Sequence, residues 1–264
     1  MRTTVAPFLS LRACRRLHSR KERRETGLYL VEGIRPVRAA LEIPGQVEAV
    51  LHAPELLRNG YGQDALDLAR ARGVPIRSLT AQEFASISTR DNPRGIACVG
   101  RQSWLNLDCL ETANAPVVAL FAPQDPGNLG TILRSCEASG CAGVILIGDA
   151  VDPWHPSALR AAMGATFAIR LARCDVPAFA DWADRQPLPV IGTCDRAATD
   201  YATHAFPAAF VLLMGSERQG LPPNLEALAT TMVRIPMAGQ VDSLNLAIAT
   251  ALVLYEAGNQ QRRR

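Results

Sequence analysis

Short apolar runs alternate with amphipathic segments along most of the chain, and the rhythm breaks once, just after residue 100. Apolar runs bounded by turn formers read as strands, and apolar residues recurring every three or four positions read as helices. Before the break, the pattern predicts strands at Leu28–Val31, Val47–Leu51, Pro75–Leu79 and Ala97–Gly100, with helices at Arg35–Leu41 and Gln63–Ala71. Residues 101–115 lose the periodicity and hold Asn106, Asp108, Thr112 and Asn114, so they read as a linker. A second α/β rhythm starts at Pro116. Its strands are expected at Val117–Phe121, Gly143–Ile147, Phe167–Leu171, Val190–Thr193, Phe210–Met214 and Met232–Ile235. Helices are expected at Leu129–Ser139, Pro156–Met163, Val176–Asp184, Leu225–Ala229 and Leu244–Gly258. Continuous apolar strands alternating with helices predict a mostly parallel sheet covered on both faces. Ligands of such sheets bind beyond the carboxyl ends of the strands, which directs attention to the loops after Phe121, Met214 and Ile235. The expected organisation is a basic extension over 1–18, a small α/β domain over 19–102, a linker over 103–115 and a larger α/β domain over 116–264.

Composition narrows the class. With 48% hydrophobic and 20% charged residues, the chain has the profile of a soluble globular enzyme. Its longest apolar runs are strand-length, so no membrane association is expected. The seven cysteines form no CxxC pair, which points to reduced thiols in a cytoplasmic protein and to no bound metal. Aromatics are sparse at 5%, leaving little to stack on unpaired bases. The net charge of +3 conceals an asymmetry: residues 1–100 carry +6 and residues 101–264 carry −3. Arg15, Arg16, Arg20, Lys21, Arg23 and Arg24 form a dense basic cluster, and Arg20, Lys21, Arg23 and Arg24 are expected to contact an RNA backbone. The plainer alternative is a solvated helix face. The first 21 residues contain no acid, a composition shared by organellar targeting segments, so the extension has two readings.

Three loops carry the candidate chemistry. The first runs from Asp125-Pro126-Gly127-Asn128 to Arg134; Asn128 is expected to cap a helix whose free N–H groups could meet an anion. The second, Gly215-Ser216-Glu217-Arg218-Gln219-Gly220, brackets a carboxylate with two glycines that allow close backbone approach. It matches neither a Walker loop nor a dinucleotide fingerprint. The third, Ile235-Pro236-Met237 through Asp242-Ser243-Leu244-Asn245, leads into a helix expected to open at Asp242 or Ser243. Taken singly, each loop is compatible with ordinary capping and turn formation.

In this order the loops resemble the three signature motifs of the SpoU/TrmH family of RNA 2′-O-ribose methyltransferases, within the SPOUT superfamily. The likeness extends to the N-terminal part, where Ser19-Arg20-Lys21, Leu30-Val31-Glu32-Gly33 and Pro93-Arg94-Gly95-Ile96-Ala97 resemble that family's substrate-binding domain. The resemblance implies an α/β catalytic domain with a deep trefoil knot, an S-adenosyl-L-methionine cofactor, a homodimer, and transfer of a methyl group to a ribose 2′-hydroxyl of structured RNA. Ribosomal RNA is favoured over transfer RNA as substrate. It also implies that Gly215, Ser216, Gly220, Ile235, Pro236, Met237 and Leu244 bind the cofactor. Arg134, Asn128, Glu217, Ser243 and Asn245 take the places of the family's catalytic residues. Guanidinium is a donor only, so Arg134 reads better as an electrostatic clamp on phosphate than as a general base. Two positions depart from the pattern: Ala162 stands where the family often has Ser, and Arg218 where it often has a small residue. The competing reading is a catalytically silent RNA-binding member of the same fold.

Overall fold

The computed structural model describes residues 10–57, 60–112 and 114–263. The first nine residues, and with them much of the expected extension, lie outside the described residues. The chain forms two compact units: one holds the residues up to Ser103 together with Asp152–Phe167, the other Trp104–Val151 and the chain from Ala168 onward.

In the first unit the elements are α1 (Leu11–Arg16), α2 (Arg20–Thr26), β1 (Leu28–Glu32), α3 (Ile34–Glu42), β2 (Val47–His52), α4 (Gly60–Ala71), β3 (Ile76–Ser78), α5 (Ala81–Ala85) and β4 (Ile96–Arg101). The sheet order is β1-β4-β2-β3; β4 pairs antiparallel with both neighbours, and β2 with β3 is parallel. Alternation along β4 sends Ala97 and Val99 into a core with Leu30, Leu51, Phe84 and Ile87. Cys14 and Leu17 sit in that same core, so α1 is an integral part of the unit and not a loose extension. No expectation covered α1, α2 or α5, because five to seven residues carry too few turns for a period to show.

The second unit runs β5 (Val117–Phe121), α6 (Pro126–Ala138) and β6 (Gly143–Ile147) before the chain reaches α7 (Pro156–Ala162) and α8 (Ala165–Ala168). It continues with β7 (Leu171–Cys174), α9 (Val176–Arg185), β8 (Val190–Thr193), β9 (Thr199–Asp200), β10 (Val211–Met214), α10 (Pro223–Glu226), β11 (Thr231–Arg234) and α11 (Leu246–Arg263). Seven strands in the order β7-β6-β5-β10-β8-β11-β9 pair in parallel throughout. The strand expected at Phe167–Leu171 is corrected: Phe167 lies in helix α8, and β7 begins only at Leu171. An apolar run this short does not distinguish helix from strand, and tertiary packing decides. Phe167 joins Tyr29 at 5.5 Å between ring centroids, and Trp154 stacks on Tyr29 at 4.9 Å and 15°, so Asp152–Phe167 is built into the first unit's core.

Strand order positions the site. From β5 the sheet grows one way through β6 and β7, then the chain returns to place β10 on the other side of β5. Parallel strands end at the same edge, so the loops after β5, β10 and β11 emerge together beside this reversal, where open α/β sheets bind ligands.

Candidate active site

The first loop leaves β5 through Ala122, whose φ of 43° is left-handed and unusual for a residue with a Cβ. Asp125, not Asn128, caps α6: its carboxylate accepts from the Asn128 N–H at 2.7 Å, and Pro126 opens the helix. Asn128 is thereby moved into the first turn with its side-chain amide free to work elsewhere. That amide links all three loops. Its Nδ2 donates to Glu217 Oε1 at 3.2 Å, and its Oδ1 accepts from Asn245 Nδ2 at 2.8 Å. Glu217 also accepts the Gln124 N–H at 3.1 Å, so the second loop is tied to the first by backbone as well as side chain. Asn245 accepts the Ala247 N–H at 2.9 Å and thus caps α11, correcting the expected start at Asp242 or Ser243.

Beside this relay lies a cavity of about 680 Å³, within the range of small-ligand sites. Gly215, Ser216, Gly220, Ile235, Met237 and Leu244 all line it, as do Glu217, Ser243 and Asn245; Pro236 is exposed and is not part of the lining. The second loop is pinched by reciprocal backbone bonds between Ser216 and Gly220, each 3.1 Å. A Cβ on Gly215 would stand 2.3 Å from the Gly220 carbonyl carbon, so only glycine lets the loop fold back this closely. Met214, Leu221, Ile235, Leu244 and Leu246 supply apolar wall, while Asp195, Glu217, Glu226 and Asp242 supply carboxylates. Arg196, Arg218 and Arg234 line it too, so the cavity offers both signs of charge. Apolar wall and exposed loop backbone suit an adenosyl group, the carboxylates a sulfonium and an ammonium, and the guanidinium groups a carboxylate, so the residues present fit S-adenosyl-L-methionine. Thr193 at the end of β8, and Cys194, Asp195 and Arg196 on the loop after it, also line the cavity and were missed in the sequence. That loop contains no glycine or other motif residue to mark it; only its adjacency to β10 and β11 reveals it.

Arg134 stands apart from the lining. It projects from α6 into solvent with no ion pair or hydrogen bond among the described residues. On α11, which packs against α6, Ile248, Leu252 and Tyr255 are 51%, 37% and 49% exposed. Among the described residues no group of three His, Cys, Asp or Glu is arranged to hold a metal ion, and no helix is long and apolar enough to cross a membrane.

The basic cluster divides. Arg20, Lys21 and Arg24 are exposed on α2, but Arg23 is 1% exposed and is withdrawn from any RNA surface. Its Nε donates to Asp152 Oδ2 at 2.7 Å, and Nη1 donates to the Leu17 and His18 carbonyls at 2.8 and 2.9 Å. A buried guanidinium requires such partners, and here they hold α1, α2 and the Asp152 segment together. A shallow cleft in the same unit, lined by His18, Glu32, Thr89, Arg90 and Arg160, adds cations the sequence did not single out. Glu32 is committed to its own loop, accepting the Arg94 N–H at 2.8 Å and the Ser88 hydroxyl at 2.5 Å. It stands 4.0 Å from Arg90.

Two family descriptions match. Residues 115–255 match the SpoU rRNA Methylase family and residues 10–98 an MRM3-like substrate binding domain. The 23S rRNA (guanosine(2553)-2′-O)-methyltransferase RlmP of Bacillus subtilis is 31% identical over 91% of this chain and 92% of its own. The AdoMet-bound rRNA methyltransferase of Sinorhizobium meliloti superposes with a TM-score of 0.85 at 34% identity, covering 94% of each chain. The SpoU methyltransferase AviRb of Streptomyces viridochromogenes, in complex with AdoMet, has a TM-score of 0.85 at 27% identity, over 96% and 97% of the two chains. Three motif loops gathered at one sheet edge, and a family match across more than half the chain, lead to one conclusion: this chain belongs to the SpoU rRNA methylase family.

Proposed function

We propose that this protein transfers a methyl group from S-adenosyl-L-methionine to a ribose 2′-hydroxyl of ribosomal RNA. The observation that carries the proposal is the Glu217–Asn128–Asn245 relay, which joins the three motif loops at the cavity edge. When bound, the cofactor supplies a methyl group made electrophilic by its sulfonium charge. The chain then has to align the attacking hydroxyl and manage its proton. Gly215, Ser216, Gly220, Ile235, Met237 and Leu244 hold the cofactor chiefly through backbone groups. Ser243 faces the same space and can hydrogen-bond the ribose. Asn128, Glu217 and Asn245 are positioning residues: they set the separation of the loops. Arg134, unpaired among the described residues, clamps the phosphate beside the target ribose and stabilises developing alkoxide charge. The RNA backbone is engaged by Arg20, Lys21 and Arg24, extended by Arg90 and Arg160 at the cleft. The first unit thus serves as the substrate-binding domain, and a ribosomal RNA substrate would place the enzyme in the cytoplasm.

The active unit in this reading is a homodimer. Its support is the exposed stripe of Ile248, Leu252 and Tyr255, spaced so that all three share one face of α11. The C-terminal segment is read as threading a trefoil knot, supported by Asn245 reaching Asn128 from 117 positions away and by α11 lying on α6.

The test is incubation with radiolabelled S-adenosyl-L-methionine and separate pools of ribosomal and transfer RNA. The expected result is label in ribosomal RNA at one alkali-resistant ribose, lost with Arg134→Ala. Label in transfer RNA alone would overturn the substrate assignment. Cofactor binding with no transfer to either pool, or to assembly intermediates, would favour the silent RNA-binding reading. Near-complete activity of Arg134→Lys would remove the bidentate clamp.

A further inference from the structure

Helix α6 ends at Ala138, and the chain turns away through Ser139 and Gly140, the glycine at φ 74°. Two backbone bonds close the turn: Gly140 N–H donates to the Glu137 carbonyl at 3.0 Å, and Cys141 N–H to the Cys136 carbonyl at 2.9 Å. This is the Schellman arrangement, in which the side chains of those outer two residues meet, commonly as an apolar contact. Here both are cysteines. The bond from the Cys141 N–H to the Cys136 carbonyl holds the two residues against each other across the turn, as a disulfide, which spans Cα atoms about 4.4–6.8 Å apart, requires. The two thiols hydrogen-bond each other, and the Ser139 hydroxyl lies 3.4 Å from Cys141 Sγ and 3.2 Å from the Cys136 carbonyl oxygen.

We infer that Cys136 and Cys141 are an oxidisable dithiol, in which hydrogen peroxide oxidises Cys141 and Cys136 then closes a disulfide across the end of α6. The two thiols differ in the way such a pair requires. Cys141 is half-buried and reachable, whereas Cys136 is fully buried beneath it. The hydrogen bond from Cys136, more than the one from Ser139, holds the Cys141 thiol below its ordinary value against the opposing effect of burial, and burial pushes Cys136 up. The more readily ionised sulfur is therefore also the accessible one. Its thiolate attacks one peroxide oxygen, the O–O bond breaks, and the leaving hydroxide takes the thiol proton to become water. Sulfur is oxidised by two electrons and the peroxide reduced by two. Cys136 sulfur then attacks the sulfenic sulfur, the S–S bond forms, the S–O bond breaks, and a second water leaves with the Cys136 proton. Of the other thiols, Cys14 and Cys98 are buried, with their thiols pushed up by burial, Cys174 is half-buried with its thiol pushed up to about 11 chiefly by burial, Cys194 is half-buried and Cys109 is exposed.

The test uses the whole native chain treated with hydrogen peroxide, blocked with an alkylating agent and cleaved with trypsin. The fragment Ser135–Arg160 contains these two cysteines and no other. The expected result is that this fragment loses two hydrogens and refuses alkylation until reduced. In Cys136→Ala, the expected product is a sulfenic acid at Cys141, captured by dimedone. Cys109 serves as the internal measure of exposure to oxidant. A fragment that stays alkylatable while Cys109 is oxidised would overturn the inference. So would progression of wild-type Cys141 to sulfinic acid without a disulfide. Neither result depends on methyl transfer, so the two proposals fail separately.

Discussion

Arg23 and Arg24 are neighbours of one residue type with opposite fates. Arg23 is paired with Asp152 in the interior, whereas Arg24 projects into solvent. Removing one partner of a buried pair strands the other charge, so Arg23→Ala should cost about 3–5 kcal/mol, read as a lower urea midpoint. Arg24→Ala should leave that midpoint within about 0.5 kcal/mol while weakening RNA binding and lowering its salt slope by about one. If Arg23→Ala unfolds no more readily than Arg24→Ala, the structural role assigned to Arg23 is wrong. The basic cluster itself was readable in the sequence. Which member turns inward was not, because the partner lies 129 positions away. The relay follows the same logic. Glu217→Ala removes the acceptor that ties the second loop to Asn128 and to the Gln124 N–H, and a misplacement of about 1 Å can cost on the order of 100-fold in rate. Methyl-transfer kinetics should show kcat falling by about 10- to 100-fold with KM for RNA changed far less. A loss confined to KM would place Glu217 in RNA binding instead.

At the scale of elements, two helix starts differ from expectation for a common reason. Asn128 and Ser243 are good caps by residue type, yet Asp125 and Asn245 cap α6 and α11. Pro126 suits the first helical position, where its missing N–H is not needed, so α6 begins earlier. The consequence is functional, since a capping Asn128 would spend its side chain on its own helix. Asp125→Ala should cost about 1 kcal/mol by thermal or urea unfolding. Helix α11 carries the second element-scale prediction. Its exposed Ile248, Leu252 and Tyr255 are read as the dimer contact, and Leu252→Glu should convert a dimer to a monomer in sedimentation equilibrium with its circular dichroism unchanged. A wild-type chain that sediments as a monomer at every concentration would remove that reading.

At the scale of the molecule, three histidines share one bias. His52, His155 and His204 are all held below the ordinary value of 6.5, chiefly by burial, with Arg70 adding at His52 and Arg23 and Arg160 at His155. His155 also accepts the Ser157 N–H at 3.1 Å through its ring nitrogen, a bond available only to the neutral ring. Each group binds its proton more weakly in the folded state than in the unfolded one. Their contribution to stability is therefore complete above about pH 6.5 and is lost as pH falls through the lowered folded values. Melting temperatures taken from pH 7.5 down to 5 should fall, most steeply below pH 6.5; a flat profile would contradict it. Because His155 lies within Asp152–Phe167, His155→Asn should flatten part of the decline.

The amino-acid sequence by itself determined the α/β alternation, the parallel character of the second sheet, the three motif loops and the basic bias of the N-terminal part. These are written in local terms: apolar spacing, turn formers and residue type within a few positions. Tertiary structure decided which side chains meet. Strand order brings Asn128, Glu217 and Asn245 together and adds the loop after β8 to the cavity. Packing on Tyr29 recruits Trp154 and Phe167 to the first unit, and burial takes Arg23 away from solvent. A periodic pattern reports the face a residue presents, but a contact across 89 or 117 positions depends on the order in which strands enter the sheet, which no local pattern records.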